Sequence, residues 1–131
     1  MADFSTARRM MVDGQIRTSD VTDLRIITAF QNVPRERFVA PSKTALAYLD
    51  LDIAVADGAP DDSDRRMLKP MVLAKLIQAA KIGETDRVLV VGCASGYAAA
   101  ILASLAGAVV GLEEDAALAG QATKTLSALG F

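Results

Sequence analysis

Five small residues, Gly92-Cys93-Ala94-Ser95-Gly96, follow directly on the β-branched run Val88-Leu89-Val90-Val91. An acid, Glu113, the first of three, stands 21 residues beyond Gly92, at the end of the next apolar run, Ala108-Val109-Val110-Gly111-Leu112. Small residues at a strand-to-helix turn let a ligand approach the backbone, and the free N–H groups of the following helix point at that ligand. A carboxylate at the end of the second strand can accept two hydrogen bonds from a ribose diol. Strand, loop, helix, strand and acid in this order predict a site for an adenosine-containing cofactor. The plainer reading of Glu113 is a cap for the helix beginning near Asp115.

Nicotinamide dinucleotide turns follow G-x-G-x-x-G, whereas position 97 is Tyr rather than Gly. A loop that ends in Gly followed by a larger residue favours S-adenosylmethionine over NAD. The residues that are missing narrow the chemistry further. With no His in 131 residues, Ser-His and Cys-His nucleophile pairs and His-ligated zinc cannot be built. Cys93 is the only cysteine, so there is no intrachain disulfide and no Cys-only metal site. Cys93 itself reads as a small packing residue. A metal site is not expected.

The elements that must position these residues lie in a stretch from Val88 to Leu112 that carries no charge over 25 residues. That is long enough to span a bilayer, and Gly92 with Gly96 and Gly107 with Gly111 repeat a spacing used between membrane helices. Against a span, the stretch breaks into a β-branched run, an Ala- and Leu-rich segment from Tyr97 to Leu105, and a second β-branched run. A strand–helix–strand unit without internal charge suits a parallel sheet covered on both faces. No membrane association is expected.

Upstream, apolar positions from Thr6 to Ile16 fall on one helical face. A second helix, capped by Asp20 or Thr22, carries Leu24, Ile27, Ala29 and Phe30 and stops at Asn32 and Pro34. Thr44 to Tyr48 forms a short helix or turn. Asp57 to Arg66 reads as a solvated acidic loop that lacks the Gly and distal Glu of an EF-hand. Pro70 opens a helix that Gly83 terminates. Hydrophobic residues at 52% and charged residues at 23% provide for a core, so a disordered chain is excluded. A net charge of −2 and few aromatics argue against nucleic acid as a partner. The first residues contain no apolar signal segment, and the expected compartment is the cytoplasm. The expected fold class is α/β: an N-terminal helical region over 1–81, including a substrate-loop segment, then over 82–131 the first half of a doubly wound, Rossmann-like sheet.

Several motifs in order resemble the protein-L-isoaspartate O-methyltransferase family from about Met11 to Phe131. Met11-Val12 with Gln15-Ile16, Asp23-Leu24-Arg25-Ile26 and Val33-Pro34-Arg35-Glu36-Arg37-Phe38-Val39 resemble its N-terminal helices. Ala47-Tyr48-Leu49-Asp50 resembles A-Y-x-D, and Pro70-Met71-Val72-Leu73-Ala74 resembles the P-x-x-V-A after its active-site loop. Val88 to Tyr97 is similar to the cofactor motif V-L-E-I-G-T-G-S-G-Y, and Val109 to Glu113 to the strand ending in the ribose-binding acid. The resemblance implies an S-adenosylmethionine-dependent carboxyl methyltransferase of protein repair, acting on proteins or peptides that carry isoaspartate. It implies cofactor contacts from Gly92, Cys93, Ala94, Ser95, Gly96, Glu113 and Glu114, and no catalytic side chain.

The sequence departs from that pattern at defined places. Leu68 stands where the family's G-Q-T-I-S-Q-P loop has Ser, leaving Leu68 and Lys69 as the substrate-loop candidates, while Ser63 lies at another distance from Pro70. Val90 replaces the acid of the cofactor motif and Ala94 its middle Gly, whose added methyl narrows the approach to the cofactor. The competing expectation is therefore a binding module that holds S-adenosylmethionine without isoaspartyl transfer. The family's sheet has seven strands, so this chain is expected to carry an incomplete sheet whose apolar edge another chain or copy covers.

Overall fold

The structure, a computed structural model, describes residues 3–57 and 65–131. Most of the acidic loop, with Gly58 and Ser63, lies outside the described residues. Helix α1 (Phe4–Met11) opens at Asp3, whose carboxylate accepts the N–H groups of Ser5 and Thr6 at 3.1 and 3.2 Å. It continues as a wide π-turn over Val12–Ile16 and a tighter turn over Arg17–Ser19. The expected helix thus has the right extent, but its hydrogen-bond ladder loosens around Gly14, as a residue without a side chain allows. Helix α2 (Leu24–Asn32) is capped by Asp23, whose carboxylate accepts the Arg25 N–H at 2.9 Å. Neither expected cap serves: Asp20 is left-handed at φ 62°, and Thr22 stands two residues before the first helical residue, one place too early.

Two tight turns follow, Arg35–Arg37 and Pro41–Leu46. A short antiparallel pair, β1 (Ile53–Ala54) and β2 (Arg66–Met67), then brackets the acidic loop. Two residues per strand leave no periodicity along the chain, so nothing in the amino-acid order announces this pair. Helix α3 (Pro70–Ala80) starts at Pro70 as expected. It ends at Lys81, left-handed at φ 53°, and the Gly83 N–H is held instead by the Asp86 carboxylate at 2.7 Å.

The charge-free stretch is strand β3 (Arg87–Val91), helix α4 (Tyr97–Ala103) and strand β4 (Ala108–Leu112), followed by α5 (Ala116–Ala128). Strands β3 and β4 pair in parallel with Val88 opposite Val109 and Val91 opposite Leu112. No helix of the described residues is long and apolar enough to cross a membrane. Side chains alternate along the strands: Val88, Val90 and Val109 pack on the core, while Leu89, Val91, Val110 and Leu112 are exposed. Only one face of the sheet is covered by the described residues, where charge-free strands had predicted cover on both. The open face is as apolar as the buried one.

Helical layer and sheet share one core. Tyr97, the first residue of α4, is buried with its ring edge-on to Phe38 at 5.5 Å and to Phe30 at 6.1 Å. The Arg35 guanidinium lies 5.0 Å from the same ring. At the other end of α4 the chain turns sharply at Gly107, whose N–H donates to the Asp86 carbonyl at 2.9 Å. A Cβ there would sit 2.8 Å from the Glu84 carbonyl oxygen, a backbone atom with little room to yield. Gly107→Ala is therefore expected to destabilise the fold by about 1–3 kcal/mol, read as a lowered midpoint in chemical denaturation.

Candidate functional site

The turn after β3 is built by backbone conformations that few residues adopt. Gly92, Ala94 and Gly96 all have positive φ, at 69°, 50° and 96°. Glycine meets this requirement at two of the three positions, and Ala94 carries a Cβ into left-handed space at about 1–2 kcal/mol. The N–H groups of Gly92 and Cys93 both donate to the Leu112 carbonyl, at 2.8 and 3.1 Å, and tie the loop to the end of β4. The Gly96 N–H donates back to the Cys93 carbonyl at 2.9 Å.

These bonds place the loop beside Glu113. The Ala94 N–H donates to Glu113 Oε1 at 2.8 Å, and the Asp115 N–H donates to Oε2 at 2.9 Å. Arg65 completes the set: its Nη1 donates to Oε2 at 2.9 Å and its Nη2 to Oε1 at 2.5 Å. The same Nη2 reaches the Gly92 carbonyl at 3.3 Å. The Glu113 side chain is 1% exposed against 34% for Arg65, so the guanidinium covers the carboxylate from the solvent side. Asp115, not Glu113, caps α5 through its carboxylate and the Leu118 N–H at 3.1 Å. Glu113 instead fixes the backbone on which that cap stands.

The expected site residues fall into distinct surroundings. Gly92, Cys93 and Ala94 share the wall of a cavity of about 150 Å³ with Leu68, Val90 and Tyr97. Lys69 is not part of that wall; its N–H donates to Asp52 Oδ1 at 2.8 Å, ahead of α3. The Leu68 side chain is exposed while its carbonyl accepts Arg35 Nη2 at 3.0 Å. Ser95 is buried and its hydroxyl points to the Met67 sulfur at 3.7 Å, which pins the loop to β2. Glu114 is exposed on the turn into α5. Cys93 also faces a larger cavity of about 550 Å³ between α4, β4 and α5, with Glu113 at the same end. Burial, with the nearby Glu113 charge second, pushes the Cys93 thiol up, which disfavours a thiolate.

An adenosine cofactor that bears no phosphate does not need a cradle of N–H donors, and this loop does not offer one, since four of its five N–H groups are engaged within the protein. What the arrangement offers is a shallow backbone wall and a carboxylate held in place by two fixed N–H groups. A carboxylate is an acceptor of the kind a ribose diol requires, but in this structure Arg65 occupies it, and no group of His, Cys, Asp and Glu among the described residues suits a metal. Arg65 is the member of the site that composition and spacing did not reveal. It lies 48 residues from Glu113 in the chain, near the end of the segment read as a solvated acidic loop, with no motif around it.

The Arg65 guanidinium and the two N–H groups hold the Glu113 carboxyl down to about 2 from its ordinary 4.5, against the opposing effect of burial. A folded value below the unfolded one adds stability that is present above about pH 4.5 and lost as pH falls toward 2. Glu113→Gln should flatten this part of the acid-unfolding profile, measured as unfolding free energy between those two pH values. Ala94→Gly removes the strained Cβ and is expected to be neutral to stabilising by up to about 1 kcal/mol in the same denaturation assay.

Comparison with known proteins adds a relationship to this geometry. Residues 6–131 match the profile of the family described as protein-L-isoaspartate(D-aspartate) O-methyltransferase. A protein-L-isoaspartate O-methyltransferase 2 from Anaeromyxobacter sp. (strain Fw109-5) is 41% identical over 96% of this chain and 49% of its own length. A protein-L-isoaspartate O-methyltransferase 1 from Rhodopseudomonas palustris (strain HaA2) is 37% identical over 98% of this chain and 50% of its own. The chain thus spans about half the length of these curated relatives. Among solved structures, a protein-L-isoaspartate O-methyltransferase superposes with a TM-score of 0.82 over 95% of this chain and 39% of that one, at 23% identity. A Plasmodium falciparum candidate protein-L-isoaspartate O-methyltransferase, in complex with S-adenosyl-L-homocysteine, gives 0.72 over 94% of this chain at 15% identity. At these identities the two structures establish the shared α/β fold.

Proposed function

The chain belongs to the protein-L-isoaspartate(D-aspartate) O-methyltransferase family, and from that premise we propose that it carries the cofactor-binding edge of an S-adenosylmethionine-dependent protein carboxyl O-methyltransferase. In this reading the Gly92–Gly96 turn lies against the cofactor, Glu113 takes its ribose, and Glu114 adds negative charge beside it. The observation that carries the reading is the Glu113 carboxylate, buried at the end of β4 and set by the Ala94 and Asp115 N–H groups at 2.8 and 2.9 Å. The cofactor, when bound, supplies an electrophilic methyl group on a sulfonium.

The residues of this chain then have limited work to do, which agrees with the absence of His. A substrate carboxylate is ionised at neutral pH with an ordinary pKa near 4, so no general base is needed. Catalysis rests on alignment of the carboxylate oxygen and on exclusion of water. Leu68 lies across the 150 Å³ cavity from Gly92 and Ala94, a placement that supports a role in shaping the substrate side. Its side chain offers no hydroxyl and the Lys69 N–H is already held by Asp52, so orientation of a substrate carboxylate falls to the Leu68 N–H and the Lys69 charge. Isoaspartyl protein is the proposed substrate class. The open apolar face of β3 and β4 is proposed to be covered by further polypeptide in the working protein.

The test is transfer of radiolabelled methyl from S-adenosylmethionine to an isoaspartyl peptide, using the complete gene product that contains these residues. The expected result is a base-labile methyl ester on the isoaspartyl peptide and none on its aspartyl counterpart. Cofactor binding without transfer would favour the competing reading, a module in which the altered Leu68 segment has lost isoaspartyl chemistry.

A further inference from the structure

The hydrogen-bonding capacity of Glu113 is already full. A carboxylate has about four lone-pair positions, two on each oxygen. Here each oxygen accepts one backbone N–H and one guanidinium N–H: Ala94 and Arg65 Nη2 on Oε1, Asp115 and Arg65 Nη1 on Oε2. A ribose diol brings two more donors and finds no place for them. The two backbone donors belong to the turn after β3 and the start of α5, and neither can leave without breaking those elements. Arg65 can leave. It sits on the solvent side with its side chain 34% exposed and has a long, flexible stem.

We propose that Arg65 is an internal stand-in for the ribose diol, and that a nucleoside cofactor binds at Glu113 by exchanging its two hydroxyl donors for the two guanidinium donors. The inference rests on the ribose role proposed for Glu113. The exchange conserves the hydrogen-bond count, since both groups present two donors side by side to two oxygens of one carboxylate. Arg65 also crosses the mouth of the turn to the Gly92 carbonyl at 3.3 Å, so the same movement uncovers the loop backbone. The released guanidinium does not lose all compensation, because Glu114 and Asp115 both act on its charge from the turn into α5. Arg65 is thus a competitor built into the site, one that lowers cofactor affinity while keeping a buried carboxylate paired in the free protein.

Calorimetric titration of the complete gene product with S-adenosylhomocysteine, which has no net charge, tests this in the parent, Arg65→Gln, Arg65→Lys and Glu113→Gln proteins. Arg65→Gln is expected to tighten binding about tenfold, equivalent to about 1.4 kcal/mol. Arg65→Lys, which keeps the charge but loses the two-pronged fit, is expected to fall between the two and provides the answer if the Gln variant does not fold. Raising NaCl from about 50 to about 500 mM screens the partly exposed Arg65 guanidinium and should tighten binding in the parent protein while leaving Arg65→Gln unmoved. Adenosine should show the same gain in Arg65→Gln, and 2′,3′-dideoxyadenosine, which lacks the diol, should not. Weaker or unchanged binding in both Arg65 variants, with binding weakened in Glu113→Gln, overturns the stand-in and leaves the ribose role of Glu113 intact. Unchanged binding in Glu113→Gln, or no binding in any protein, overturns the ribose role and the exchange with it.

Discussion

A guanidinium buried without a carboxylate partner joins the two parts of this molecule. Arg35 is fully buried, and among the described residues its hydrogen bonds go to carbonyls: Nε to Ala47 at 2.7 Å and Nη2 to Leu68 at 3.0 Å. The Tyr97 ring lies 5.0 Å away, and the more distant Asp52 charge also favours the cation. Burial pushes the guanidinium down from its ordinary value, yet arginine stays charged under all ordinary conditions. A charge so placed demands that each of its surroundings stay put, because withdrawal of any one leaves a buried cation short of partners. The surroundings are the turn before β1, the segment after β2, and the first residue of α4. The position of Leu68 relative to the Gly92–Gly96 turn therefore follows from Arg35, which belongs to neither.

The site uses the same economy with the opposite charge. Glu113 is buried beside the turn and satisfied by two fixed N–H groups and one movable guanidinium. A buried carboxylate with only the two N–H groups would be stable when a diol completes it and costly when nothing does. In this structure Arg65 supplies the two remaining donors. Departures from the family pattern sit around this arrangement without breaking it. Ala94 keeps the left-handed backbone that its N–H needs in order to reach Glu113, and Val90 puts an apolar wall on the cavity shared with Leu68. The departure that changes the chemistry on offer is Leu68, where a hydroxyl is absent.

The sheet raises a separate constraint. Leu89, Val91, Val110 and Leu112 form an exposed apolar surface on paired strands whose outer edges are also unpaired among the described residues. Such a surface favours association with more polypeptide. The chain spans about half the length of its curated relatives, and its charge-free strands have the composition of strands covered on both sides.

Local signals were legible in the amino-acid order by itself. The α/β class, the strand–helix–strand unit, the small-residue turn and the terminal acid follow from β-branched runs, a Gly-bounded loop and helical periodicity, each of which acts over a few residues. So does the opening of α3 at Pro70. Tertiary structure decided what depends on pairing across long separations. The cap of α2 is Asp23, and the Gln78 side chain, brought over from α3, accepts the N–H groups of both Thr22 and Asp23 and fixes the approach to the helix. Strands β1 and β2 exist only as each other's partners. Ser95, in the motif read as a cofactor loop, turned out to be held by Met67 and buried. Above all, Arg65 found Glu113 across 48 residues and Arg35 found Tyr97 across the whole helical layer. A charged side chain carries no periodicity that announces its partner, because ion pairs and cation–ring contacts are chosen by the geometry of the folded chain and not by neighbours along it.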